Sequence, residues 1–276
     1  MRRITGLKIT DAVRDLSIKA NLSLRNDVLT ALKSAFARET DRRAKGIIGA
    51  IIENASVAAK EKLAICQDTG MPIVFADIGQ EVIIDGDFNK AVNKGIESGY
   101  KNACLRNSVV SNPLLRGASG YTPAVIHLGM VRGNKLKLTV LPKGFGCENK
   151  SQIRMFKPTA EIPEIKKFII ETVKVAGPDA CPPYVIGVGI GGTADYAGYL
   201  AKKALLRKLG SGNSKLRVME RDILKEINKL NIGPMGLGGK TTALAVNIET
   251  FPTHIAGLPV AVNVSCHALR SASAIL

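Results

Sequence analysis

Apolar positions recur three and four residues apart in three early stretches: DAVRDLSIKANLSL (11–24), NDVLTALKSAFARE (26–39) and RRAKGIIGAIIENASVAAKEKLA (42–64). That period predicts three amphipathic helices. Asn26 and Asp27 offer capping chemistry for the second. The pattern then shortens. IVFADIGQEVII (73–84) reads as strand, and FNKAVNKGIESGYKNACL (88–105) as helix. PAVIHLGMV (123–131) and KLKLTVLPKG (135–144) predict two strands around the turn Arg132-Gly133-Asn134. IPEIKKFIIETVKVAG (162–177) is an amphipathic helix stopped by Gly177 and Pro178. YVIGVGIGG (184–192) is an apolar strand, TADYAGYLAKKALLRKL (193–209) and MERDILKEINKL (219–230) are helices, and TTALAVNIET and LPVAVNVSC are closing strands. The expected fold class is mixed α/β: a helical part over about 1–62, then an α/β body over about 63–276, treated as one domain. LGSGNSK (209–215) is the expected exposed tip.

Composition narrows the function. The chain has 276 residues, enough for a real core. Its formal net charge of +16 raises nucleic acid as a partner. The basic residues are scattered, however, aromatics make up only 4% and Trp is absent, so a base-stacking platform is poorly supplied. A basic surface suits small acidic substrates or an acidic partner chain equally well. Apolar runs are too short for a membrane span, and the charged N-terminus lacks the apolar core of a signal peptide. A cytoplasmic location is expected, with neither membrane nor nucleic acid as partner. Five cysteines, an odd number at wide spacing with no CxxC pair, argue against a disulfide framework. They are either buried thiols or ligands gathered from distant parts of the fold. Cys104, inside a helical pattern, reads as a core residue.

Two glycine-rich stretches imitate nucleotide sites. GVGIGG (187–192) fits GxGxxG between strand and helix, but no acidic residue lies at the ~20-residue offset that ribose recognition needs. The plainer reading is tight strand–helix packing. GPMGLGGKTT (233–242) approaches a phosphate loop, yet Pro234 stands where the first glycine belongs. A strand also follows, where a helix N-terminus should face the anion.

The chemistry concentrates elsewhere. Cys66, Cys181 and Cys266 each sit where a strand meets a turn, and Cys66 is followed at once by Gln67 and Asp68. Soft thiolates suit iron–sulfur clusters or zinc. In CQDTGMP (66–72), LRNSVV (105–110), PKGFGCENKS (142–151), CPPYVIGVGIGG (181–192), IGPMGLGGKTTALAV (232–246) and HIAGLPVAVNVSC (254–266) the chain resembles the α subunit of two-subunit class I, iron–sulfur-dependent fumarate hydratases and L-tartrate dehydratases. One departure is Cys147, where that family usually has Ser.

The resemblance implies a [4Fe–4S] cluster on Cys66, Cys181 and Cys266, with the fourth iron open to substrate. It implies substrate contacts from Gln67, Asp68, Arg106, Gly144, Gly146, Asn149 and Lys150. Asp68 would handle a proton, and His254 would serve as donor or acid. Cys147 would line the pocket without ligating, and His127 and His267 would be structural. The implied reaction is reversible hydration of fumarate to malate, a tricarboxylic acid cycle step, with tartrate dehydration to oxaloacetate as the alternative. Single-chain relatives carry further substrate-binding groups in a C-terminal extension. The sequence given reaches Leu276, ten residues after Cys266. A β subunit is therefore expected to complete the site, in an α2β2 assembly acting on a small dicarboxylate.

Overall fold

A computed structural model describes residues 1–211 and 214–276, the side chains of 214 and 215 excepted. The expected tip at 209–215 therefore falls partly outside the described residues. In chain order the first half contains β1 (Arg2–Thr5), α1 (Gly6–Leu22), α2 (Asn26–Arg38), α3 (Arg42–Glu61), β2 (Met71–Gly79), β3 (Val82–Asp85), α4 (Phe88–Asn102), β4 (Val109–Asn112), β5 (Arg116–Gly120), β6 (Val125–Val131) and β7 (Leu136–Lys143). The second half contains α5 (Phe145–Glu148), β8 (Gln152–Phe156), α6 (Ile162–Ala176), β9 (Tyr184–Gly192), α7 (Ala194–Ala204), α8 (Ser214–Lys229), β10 (Ala243–Thr253), β11 (Leu258–Ser265) and β12 (Ala272–Ile275). The class is mixed α/β, as expected.

The chain forms two compact units, interleaved in sequence. Unit 1 comprises Met1–Arg25, Asn54–Phe145 and Arg270–Leu276, and unit 2 comprises Asn26–Glu53 and Gly146–Leu269. The early helices form no layer of their own: α1 belongs to unit 1 and α2 to unit 2.

Unit 1 is built on a sheet of order β12-β7-β2-β6. Ile73, Val74, Phe75 and Ala76 of β2 are all buried, a continuous apolar run that suits a central strand. It lies antiparallel to β7 and parallel to β6. The strands around Arg132-Gly133-Asn134 are therefore not paired as a hairpin, because β2 lies between them. Ile9, Val13, Leu16 and Ala20 of α1 pack with Val92, Ile96 and Tyr100 of α4 and with Val74, Leu138 and Val140 of the sheet. The register sets Met71 opposite Lys143 and Ala272 opposite Val140. The start of β2, the end of β7 and the approach to β12 thus share one end of this sheet.

Unit 2 carries the sheet β10-β9-β11-β8. Alternation sorts its two faces. Ile186, Val188, Val260, Val262 and Val264 pack with Ile165, Phe168 and Ile169 of α6 and with Ile223 and Ile227 of α8. On the other face Ala261 meets Ala197 and Ala201 of α7. Gly187 and Gly189 also face α7: a Cβ on either would stand 2.1 Å from a carbonyl oxygen, of Ala201 and Ala197 respectively. The GVGIGG stretch is therefore a helix-packing surface, as its plainer reading had it.

Candidate active site

In unit 1 the Cys66 turn is held by side chains. Asp68 Oδ1 accepts the Gly70 N–H at 3.0 Å, and Oδ2 accepts the Phe145 N–H at 2.8 Å. A Cβ on Gly144 would lie 3.1 Å from Asp68 Oδ2, so glycine there lets the β7 exit close on the carboxylate. Thr69 Oγ1 accepts the Arg106 N–H at 3.1 Å and donates to the Arg106 carbonyl at 3.2 Å. That places Arg106, with its side chain exposed, beside the turn. The Tyr100 hydroxyl donates to the Thr69 and Gly70 carbonyls at 3.0 and 3.3 Å. Burial pushes this phenol up to about 12. Arg270, just before β12, donates from Nη2 to the Asp68 carbonyl. Cys66 is half-buried and Gln67 exposed. Unit 1 thus gathers Asp68, Arg106 and Gly144 around the Cys66-Gln67-Asp68 turn. Asp68 itself organises that turn with both oxygens; each oxygen has a second lone pair for another donor.

In unit 2 two cysteines share one strand end. β9 and β11 are antiparallel, with Ser265 opposite Val185. Cys266 therefore leaves β11 beside the segment that enters β9 from Cys181. The Cys181 carbonyl accepts the His267 N–H at 3.4 Å and lies 3.0 Å from His267 Nδ1. Cys147 braces the same place: its thiol donates to the Ala180 carbonyl at 3.6 Å, and its sulfur accepts the Cys266 N–H at 3.1 Å. It is 6% exposed, so it works as a buried strut. Cys181 and Cys266 are half-buried.

The PKGFGCENKS segment continues into this region. Lys150 Nζ pairs with Asp179 Oδ2 at 2.9 Å, two residues before Cys181, while Gly146 and Asn149 are exposed. Glu148 pairs with Lys202 and accepts from Asn263 Nδ2 at 3.0 Å.

One expectation lies apart from the cysteine end and another needs correction. His254 lies in the turn between β10 and β11, exposed, its Nδ1 accepting the Ala256 N–H at 3.2 Å. It sits at the opposite end of β11 from Cys266, and eight strand residues span roughly 25 Å. The fold therefore does not bring it to the Cys181–Cys266 end. Cys104 is not in the core: α4 stops at Asn102, and Cys104 is exposed with φ at +51°. The left-handed turn swings it off the helix.

The second glycine loop is also explained. Lys240 N–H donates to Glu39 Oε2 at 2.8 Å and Gly239 N–H to Asn231 Oδ1 at 3.1 Å. These amides are spent on the protein's own oxygens, and β10 follows. Sequence reasoning missed Arg270, Thr69 and Tyr100, and took His267 only as structural. Arg270 had one visible signal: it is an arginine among small residues, four positions after Cys266.

Among the described residues no three His, Cys, Asp or Glu side chains form a ready metal-holding group, and no helix is long and apolar enough to cross a membrane. Comparison with known proteins places these motifs. The family model described as Fumarate hydratase (Fumerase) matches residues 10–275. A Methanocaldococcus jannaschii protein that provisionally carries the name L(+)-tartrate dehydratase subunit alpha is 40% identical over 276 residues, covering 96% of each chain. The Escherichia coli K12 and Shigella sonnei proteins named L(+)-tartrate dehydratase subunit alpha are each 28% identical, over 95% of this chain and 89% of theirs. With a match spanning nearly its whole length, the chain belongs to the fumarate hydratase family of hydro-lyases.

Proposed function

We propose that this chain is the α subunit of an iron–sulfur hydro-lyase for a four-carbon 2-hydroxy-dicarboxylate. Reversible hydration of fumarate to malate is the first reading. Dehydration of L-tartrate to oxaloacetate is the second, favoured by the names of the relatives. The observation that carries the proposal is the chemistry of the cysteine-bearing ends. One couples a thiol to Asp68 and Arg106, and the other sets two half-buried thiols on a braced strand end.

This donor set fits an iron–sulfur group: the thiols are soft donors, partly open to solvent, on segments held by backbone contacts. Cys66, Cys181 and Cys266 would hold a [4Fe–4S] cluster. When bound, it would supply an open Lewis-acidic iron for the substrate's hydroxyl and carboxylate. The remaining work falls to this chain's residues. Arg106 grips a substrate carboxylate through paired, charge-assisted hydrogen bonds. Gln67 hydrogen-bonds the substrate, and Asp68 moves the proton. Backbone N–H groups around Gly144 and Gly146, with Asn149 and Lys150, cradle the second carboxylate. Lys150 already has Asp179 as a partner, which orients it without consuming all three of its donors. His254 has no part in the same chain's site on this reading.

A second polypeptide, the β subunit, completes the site, as the subunit names of the relatives suggest. The test is anaerobic reconstitution with iron and sulfide, then a panel of malate, fumarate and L-tartrate, with the chain alone and with its partner. A brown protein that turns over one of these substrates only with the partner is the expected result. Robust turnover by the chain alone removes the β-subunit requirement, and a colourless, inactive pair removes the proposal.

A further inference from the structure

Arg270 is a buried cation whose hydrogen bonds are incomplete. It is 3% exposed. Nη2 donates to the Asp68 carbonyl, while Nε and Nη1, both fully enclosed, have no acceptor among the described residues. A guanidinium stays charged at any ordinary pH. Leaving two of its N–H sites dry is costly unless an acceptor is supplied. The nearby groups do not supply one. The Asp68 oxygens bond the Gly70 and Phe145 amides and the Tyr100 hydroxyl bonds the Thr69 and Gly70 carbonyls; none of these oxygens is in hydrogen-bond contact with Nε or Nη1.

Its place in the chain narrows the ligand. Arg270 follows Cys266 by four residues, and the carbonyl it grips lies two residues after Cys66. The side chain therefore belongs at once to two segments that carry proposed cluster ligands. The exposed groups of this region, Gln67 and Arg106, suit a substrate that enters and leaves at every turnover. Donors closed off from solvent suit a resident anion instead.

We propose that Arg270 is a positioning residue for the iron–sulfur group. It fixes the Cys66-Gln67-Asp68 turn through the Asp68 carbonyl and gives its Nε–H and Nη1–H to sulfur atoms of the resident anionic cluster or its Cys66 thiolate. This rests on the cluster reading above. N–H donors to sulfur stabilise the more negative, reduced state and raise the reduction potential. Outer contacts of this kind also change metal affinity by about 10–100-fold.

The experiment uses the full chain, reconstituted anaerobically, as wild type, Arg270→Lys and Arg270→Gln. Iron and sulfide content, reduction potential followed by electron paramagnetic resonance, iron release to a chelator and substrate KM are measured. Melting of the iron-free chains is followed by circular dichroism. Arg270→Gln should still take up iron, with a more negative potential and about 10–100-fold faster release; Arg270→Lys should fall between. KM should stay within about twofold, since uniform substrate binding is untouched. Clusters of unchanged potential and release rate in both variants overturn the inference. A raised KM at unchanged potential also overturns it, assigning the donors to substrate. Two variants that fail to fold even without iron assign Arg270 to folding alone. A wild-type chain that takes up no cluster sinks the cluster reading itself, and this inference with it.

Discussion

The two cysteine-bearing strand ends are built by different means. In unit 1 the Cys66 turn is tied by polar side chains: Asp68 to two amides, Thr69 to both backbone groups of Arg106, Tyr100 to two carbonyls, and Arg270 to a third. In unit 2 Cys181 and Cys266 are held by a buried thiol, an imidazole and the packed sheet beneath them. The difference follows from what each end has to present. A carboxylate and a guanidinium need a polar frame, because charged groups near the interior are costly without partners. A thiol is soft and weakly hydrated, so sulfur contacts and apolar packing suffice. Substitutions should therefore separate the two ends by kind of failure: lost proton transfer or substrate grip in unit 1, lost iron in unit 2, with Cys66 sharing both.

The largest effect tests what the two ends have in common. Cys66→Ser, Cys181→Ser and Cys266→Ser should each abolish cluster uptake and all turnover. Cys104→Ser, at an exposed turn, should keep both. Iron content and the cluster's absorbance read the result. Loss of the cluster in Cys147→Ser combined with retention in Cys266→Ser would exchange the roles given to those two thiols. Serine can still donate to the Ala180 carbonyl and accept from Cys266, so Cys147→Ser should be near wild type.

Next in size is Asp68→Asn, which probes the unit 1 end alone. Turnover should fall about 10²–10⁴-fold with iron content unchanged. An amide has one acceptor oxygen where the carboxylate has two, so the Gly70 or the Phe145 bond is also lost. Near-normal turnover would make Asp68 a turn-former and nothing more. Arg106→Ala should be milder, raising KM by about 10–100-fold for a lost charge-assisted hydrogen bond. Its backbone stays pinned by Thr69 in either variant, so kcat should change less than KM. A larger fall in kcat than rise in KM would show that Arg106 acts in the transition state.

The fold was legible where burial imposes a period. The α2, α4 and α6 helices and the β9, β10 and β11 strands follow their apolar spacing closely, while α1 begins at Gly6, five residues before the predicted start. The short strands β1, β4, β5, β8 and β12 were not seen, because four or five residues carry too little periodicity to stand out. β6 and β7 do not pair, for a non-local reason: the two are close in sequence, but the more apolar β2 takes the place between them. His254 shows the same effect: it is twelve residues before Cys266, yet β11 separates the two. The Asp68, Arg106 and cysteine motifs were singled out from the family resemblance, and the hydrogen bonds set Asp68 and Arg106 about the Cys66 turn. Arg270 and Tyr100 were not, because what singles them out is burial against particular carbonyls, and that is fixed only once α4 and β12 are in place.

The smallest expected effect concerns Tyr100 beneath the unit 1 turn. Its hydroxyl donates to two carbonyls, and burial raises its pKa to about 12. Tyr100→Phe removes these bonds and should cost roughly 1 kcal/mol at neutral pH, leaving the cluster and kcat nearly unchanged. The pH dependence is more diagnostic. The folded chain holds the phenolic proton more tightly than the unfolded chain, whose value lies near 10. This group's contribution is full below about pH 10. It is lost progressively as pH rises through about 12, because the unfolded state ionises first. A two-unit difference corresponds to about 2–3 kcal/mol. Wild-type melting temperature should therefore fall more steeply than that of Tyr100→Phe between pH 10 and 12, and the two curves should meet and then cross as this proton is lost. Parallel curves over that window would mean that the phenol titrates in the folded chain as it does in water. The turn that carries Cys66 and Asp68 would then be open to solvent from below.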